Sequence, residues 1–187
     1  MNVKSFLIVE IQFLKIFHIH EIITITDLKL QMPTLPNFTF YQLNMEIKIR
    51  KASPEDAAAI TDLSRQLGYP LSQEQILQNL ETVLASNDHD AFVAVHENRV
   101  IGWIGVARTI MIEMTPYCEI NGLVVDDHFR GKGVGKLLIE KAKQWGKEKG
   151  NDKIRVRCNV KRKETHLFYQ HLGFKETKEQ KNFEINI

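Results

Sequence analysis

The stretch Val124-Val125-Asp126-Asp127-His128-Phe129-Arg130-Gly131-Lys132-Gly133-Val134-Gly135-Lys136 decides how the chain is read. A β-branched run passes into a glycine-rich turn, after which Val134, Leu137, Leu138, Ala142 and Trp145 recur at helical spacing. The pattern predicts a strand that feeds through a flexible loop into the first turn of an amphipathic helix. Glycines there let backbone N–H groups approach an anion, and the helix N-terminus adds partial positive charge. The segment has the chemistry of a diphosphate cradle.

Glycine spacing narrows the choice of diphosphate. The dinucleotide fingerprint requires G-x-G-x-x-G, whereas this loop reads Gly131-x-Gly133-x-Gly135. The nucleoside-triphosphate loop requires a glycine where Arg130 stands and a Ser or Thr where Leu137 stands. What the chain carries is R-x-x-G-x-G, Arg130 to Gly135, after a strand ending Leu123-Val124-Val125-Asp126. Downstream, Lys153–Cys158 alternates like a strand. Then Thr165–Phe174 places Leu167, Phe168 and Leu172 on one face of a short helix, with Gly173 as its left-handed stop.

The R-x-x-G-x-G loop, followed after one strand by Phe168-Tyr169-x-x-Leu172-Gly173-Phe174, resembles the GNAT N-acetyltransferase superfamily over about Met45 to Ile187. The resemblance implies an α/β (α+β) fold, a mixed but mostly antiparallel sheet splayed at its fourth strand and flanked by helices. It implies acetyl-coenzyme A as co-substrate, held by Leu123, Val124 and Val125 along the splayed strand and by Arg130, Gly131, Lys132, Gly133, Val134, Gly135 and Lys136 around the diphosphate. No metal is implied. The expected activity is acetyl transfer to a primary amine by direct attack in a ternary complex.

Composition is consistent with that expectation. A chain of 187 residues with 43% hydrophobic side chains suits one soluble domain with a full core. Cys118 and Cys158 have no metal-type spacing, and the histidines form no i, i+4 pair, so two buried thiols in a reducing cytoplasm are expected. Residues 130–163 hold thirteen Lys or Arg against three Asp or Glu, a balance of +10, whereas residues 45–129 hold six against thirteen, or −7. The basic segment suits the phosphates of coenzyme A, or is simply a solvated lysine face. The acidic one favours a cationic acceptor. Neither a membrane span nor a nucleic-acid motif is present, and a homodimer is left open.

Residues 1–44 read as an N-terminal extension outside the domain at 45–187. Glu10 and Lys15 interrupt their apolar stretch, which makes a poor secretory signal, and Pro33 and Pro36 set them apart. Met45, directly before Glu46-Ile47-Lys48-Ile49-Arg50, is a plausible natural start; a partner-binding helix is the alternative for the leader. Within the domain, Ser53-Pro54-Glu55-Asp56 caps a helix to about Leu67, and Ser72–Gln75 opens a second in capping-box style. Asp90–Val95 and Val100–Arg108 form a hairpin across Glu97-Asn98, Glu119–Val125 is the next strand, and final strands follow the last helix.

Acetyl transfer to an amine requires a base for the ammonium, polarisation of the thioester, and a donor for the departing thiolate. Glu119, six residues before Val125, matches the position of the general-base glutamate in the histone-acetylating branch. Water serves as base in other members, and a surface glutamate is the plain alternative. Strand alternation puts Glu119 on the face of Asn121 and Leu123 unless a bulge intervenes, and Gly122 is the natural splay point. Tyr169 matches the family's acid, with Phe168 as its packing neighbour. Where many members carry an asparagine, seven residues before the tyrosine, this chain has Arg162, free to reach a phosphate, with Asn159 three earlier. Cys158 as an acetyl-carrying nucleophile lacks a paired histidine. The competing reading is a catalytically degenerate coenzyme A-binding or sensor module.

Overall fold

The molecule is described by a computed structural model, which covers residues 45–69 and 71–187. The expectations for residues 1–44 lie outside the described residues. Strand β1 (Lys48–Lys51) leads through a 3-10 turn at Pro54–Asp56 into α1 (Ala57–Gln66), then α2 (Gln73–Ala85). Three antiparallel strands follow, β2 (His89–His96), β3 (Arg99–Met111) and β4 (Met114–Val125). A second 3-10 turn, Asp127–Phe129, precedes α3 (Val134–Glu148), β5 (Ile154–Val156) and α4 (Lys163–His171). The sheet order is β1-β2-β3-β4-β5, with only β4–β5 parallel.

Local chemistry accounts for the element boundaries. Ser72 Oγ accepts from the Gln75 N–H and Gln75 Oε1 accepts from the Ser72 N–H, a reciprocal cap that starts α2. At the head of α1, Asp56 takes two 2.7 Å bonds from the Arg50 guanidinium and one of 2.9 Å from the Ser53 N–H. Burial works against its charge, but those bonds hold its carboxyl below the usual carboxylate range. Glu97 and Asn98 both have positive φ, 48° and 64°, which closes β2–β3 as a two-residue turn matched to strand twist.

Two layers of helix cover the sheet. On one face Ile101, Ile104, Val106, Cys118 and Ile120 pack under α3 and α4, through Val134, Leu138, Ile139, Ala142, Trp145 and Tyr169. On the other, Ala91 and Val93 meet Ile60 and Leu80 of α1 and α2, with Trp103 against them. Leu137, expected in the buried stripe, is 41% exposed, and Ile139 is buried instead. At 3.6 residues per turn the buried arc runs from Val134 through Leu138 and Ala142 to Gly146 and ends at Ile139, whereas Leu137 falls beyond its opposite edge.

Two expectations are corrected. The strand expected over Lys153–Cys158 is paired only at Ile154–Val156, and residues 174–187 form no strand or helix. Lys175–Lys181 contains no apolar side chain to bury against the sheet.

Candidate active site

The site is organised by β4. It pairs with β5 only at Cys118–Ile120, and beyond Ile120 its edge has no strand partner among the described residues. On its other edge the register with β3 runs from Val106↔Ile120 to Gly105↔Gly122, so Asn121 is the extra residue of a β-bulge. The bulge reverses the expected alternation. Cys118 and Ile120, then Leu123 and Val125, face α3 and α4. Glu119 therefore shares the opposite face with Gly122 and Val124, and not with Leu123. Gly122 lies under the Trp103 indole so closely that a Cβ there would stand 2.5 Å from the ring.

The backbone at the opening has no strand partner on its open edge among the described residues. The Asp126 N–H donates to Ile101 O at 2.9 Å, so alternate backbone groups point at β3 and those of Leu123 and Val125 point at the open edge. Val125 O accepts from Arg130 Nε at 3.3 Å. A pantetheine arm carries amides that suit such an unpaired strand edge.

The loop after β4 has the shape its glycines suggested. Buried Asp126 accepts from Arg99 at 2.7 Å and from the His128 N–H at 2.9 Å, anchoring the turn. Gly131 and Gly133 have φ of 72° and 83°, the left-handed region that side chains resist, and open space surrounds both Cα positions. Gly133 caps α3, and the first helical bond is Leu137 N–H to Gly133 O at 3.1 Å. The N–H groups of Val134, Gly135 and Lys136 are thus left for a ligand oxygen. The Arg130 guanidinium pairs with Asp127 at 2.5 Å, and Lys132 lies 5.1 Å from the Phe129 ring centroid. The residues fit a diphosphate.

Gly135 has a different task. A Cβ at this position would come within 3.0 Å of the Phe168 ring, so its lack of a side chain lets α3 seat against α4. Beside Phe168, Tyr169 is 8% exposed and edge-on to both Phe168 and Phe174 at 5.2 and 5.3 Å. Burial pushes its phenol up to about 12; Cys158 adds to the rise and Arg162 opposes it.

Glu119 is 6% exposed, and its carboxylate accepts from Thr109 Oγ1 at 3.2 Å and pairs with Arg157 Nε at 2.6 Å. Arg155, directly opposite Glu119 in the β4–β5 register, stacks over Tyr117 at 4.4 Å. Neither arginine was singled out from sequence, although their two-residue spacing puts both on Glu119's face. Arg162 donates to Leu67 O at 3.0 Å, tying the start of α4 to the end of α1 rather than reaching the glycine-rich loop. Cys118 is buried, with its thiol pushed up to about 11 by desolvation and by neighbouring Glu119.

The sequence model of the Acetyltransferase (GNAT) family matches residues 57–174, well over half of the chain. The chain belongs to the GNAT family. This GNAT acetyltransferase is 29% identical over 133 residues to an uncharacterised N-acetyltransferase of Chlorobaculum tepidum, covering 71% of this chain and 77% of that protein. It is 28% identical over 134 residues to the aminoglycoside N(6′)-acetyltransferase type 1 of Stenotrophomonas maltophilia, covering 69% and 86%. An aminoglycoside N-acetyltransferase solved in complex with coenzyme A has the same fold, with a TM-score of 0.70 at 23% identity over 76% of this chain and 96% of that one. The protein is thus an N-acetyltransferase, with acetyl-coenzyme A as the donor its family membership supports. No helix among the described residues is long and apolar enough to cross a membrane.

Proposed function

We propose that the enzyme acetylates a small primary amine by direct attack in a ternary complex, with Glu119 as base and Tyr169 as donor to the leaving sulfur. The observation that carries the reading is the position of the opening beyond Ile120. Glu119 lies on one face of the sheet there, and Tyr169 packs against the other. A thioester lying along Leu123 and Val125 would pass between them, with its diphosphate on the first turn of α3.

In this mechanism the acceptor ammonium gives a proton to the Glu119 carboxylate, directly or through one water. The free amine then attacks the thioester carbon, a C–N bond forms, the C–S bond breaks and sulfur leaves with the electron pair. Tyr169 meets that charge with its O–H. With burial pushing the phenol up to about 12, above a free thiol near 8.5, complete transfer to sulfur is uphill. Tyr169 therefore acts first as a hydrogen-bond donor to the thiolate, and the proton lost by the new amide nitrogen closes the balance. Thr109 and Arg157 hold the Glu119 carboxylate in a fixed orientation. We place the enzyme in the cytoplasm, which its two free cysteines suit.

The test is release of free coenzyme A from acetyl-coenzyme A across a panel of primary amines. At least one should be acetylated in a saturable reaction, and Gly133→Asp should weaken coenzyme A binding by putting a negative charge into the cradle. Tight coenzyme A binding without turnover of any amine would defeat the reading, and unchanged affinity in Gly133→Asp would displace the phosphate site.

A further inference from the structure

We propose that the acceptor is a zwitterion, a small primary amine that carries an oxyanion a few bonds away, and that Arg155 with Arg157 beside it forms the oxyanion subsite. The inference rests on the transfer reading above, with Glu119 marking the amine end.

The residues that support it are all on the Glu119 face. Arg155 is half-buried, and its guanidinium carbon lies 4.4 Å from the centroid of the buried Tyr117 ring, with Met114 Sδ 3.7 Å from one nitrogen as a weak acceptor. Among the described residues no carboxylate lies within ion-pair distance of Arg155. A guanidinium taken partly out of water without a counter-charge is costly unless something else supplies the charge. Arg157 does not share this condition, since Glu119 neutralises it at 2.6 Å. One carboxylate against two guanidiniums leaves this cluster at +1, which repels a polycation and accepts an oxyanion.

The geometry sets the size of the ligand. Glu119 and Arg155 are register partners on neighbouring strands, about 5 Å apart at the backbone. An amine at Glu119 and an oxyanion at Arg155 can therefore belong to one short molecule. Contacts with the Tyr117 ring and Met114 Sδ hold the guanidinium, whose planar fork matches carboxylate or phosphate oxygens better than an ammonium would. The acidic balance of residues 45–129 concerns the ammonium end alone.

Matched acceptor pairs test this: β-alanine against β-alaninamide for a carboxylate, and O-phosphoethanolamine against ethanolamine for a phosphate. In at least one pair kcat/KM should be about tenfold or more in favour of the acidic member, the scale of one charge-assisted hydrogen bond. Arg155→Gln should bring that ratio to within about twofold of unity, and Arg155→Lys, which keeps charge but loses the fork, should give an intermediate ratio. Preference for the neutral member in both pairs, or an unchanged ratio in a folded Arg155→Gln enzyme, overturns the subsite. Calorimetric titration of the two acids into the coenzyme A-loaded protein separates the two readings. Arg155-dependent binding without any acetylation would sustain the subsite and defeat the transfer mechanism; no binding of either acid defeats the subsite itself.

Discussion

Tyr169 and Glu119 differ in how the fold treats them. Tyr169 is buried among aromatic rings, and burial keeps its phenol protonated far above neutral pH. Tyr169→Phe keeps the ring and removes the donor, so kcat should fall by about ten- to ten-thousandfold with little change in coenzyme A affinity. In the proposed mechanism the protonated phenol is the working form. Because its titration point is raised to about 12, the wild-type kcat profile should show no alkaline loss from this residue below about pH 10. An alkaline limb centred near 9 that vanished in Tyr169→Phe would contradict the burial argument. Glu119 is held by charge and hydrogen bonds instead, from Arg157 and Thr109. If it is the base, Glu119→Gln should lower kcat by about a hundredfold or more while coenzyme A affinity is kept; a wild-type rate would leave Glu119 only its ion pair.

At the scale of elements, the contact that couples the two motifs is between α3 and α4. Gly135 belongs to the glycine-rich loop and Phe168 to the Phe-Tyr pair, and they meet where a Cβ would stand 3.0 Å from the ring. Gly135→Val forces Phe168 aside. Urea unfolding should show a loss of about 1–3 kcal/mol, the usual cost of overpacking. Coenzyme A affinity should fall as well, because the displaced ring tilts the first turn of α3. Phe168→Ala in the same chain should restore part of the stability, since residues in contact couple non-additively. Strict additivity of the two substitutions would show that the helices do not meet there. The R-x-x-G-x-G spacing was legible because left-handed φ at Gly131 and Gly133 is a local requirement. The need for glycine at 135 was not, since it comes from a ring thirty-three residues later.

For the whole molecule, Met45–Ile187 forms one compact unit and contains every residue of the proposed site. We propose that residues 1–44 are dispensable for folding and catalysis. A chain beginning at Met45 should stay soluble, unfold cooperatively and keep the kcat/KM of the full-length protein. Aggregation or lost turnover would show that the leader completes the core or the site.

Sequence alone determined what short-range sterics and periodicity control. The glycine turn into α3, the Ser72–Gln75 cap, the Glu97-Asn98 turn and the order of elements as far as α4 are each set within a few residues. Tertiary structure decided everything that depends on which strands pair and in what register. The bulge at Asn121 turns Glu119 away from Leu123, the short β4–β5 pairing opens the sheet beside it, and β5 brings Arg155 and Arg157 to the same face. A shift of one residue in a strand moves every later side chain to the other face, and the register is chosen by packing across the sheet. That packing involves partners dozens of residues apart, beyond any local window of sequence.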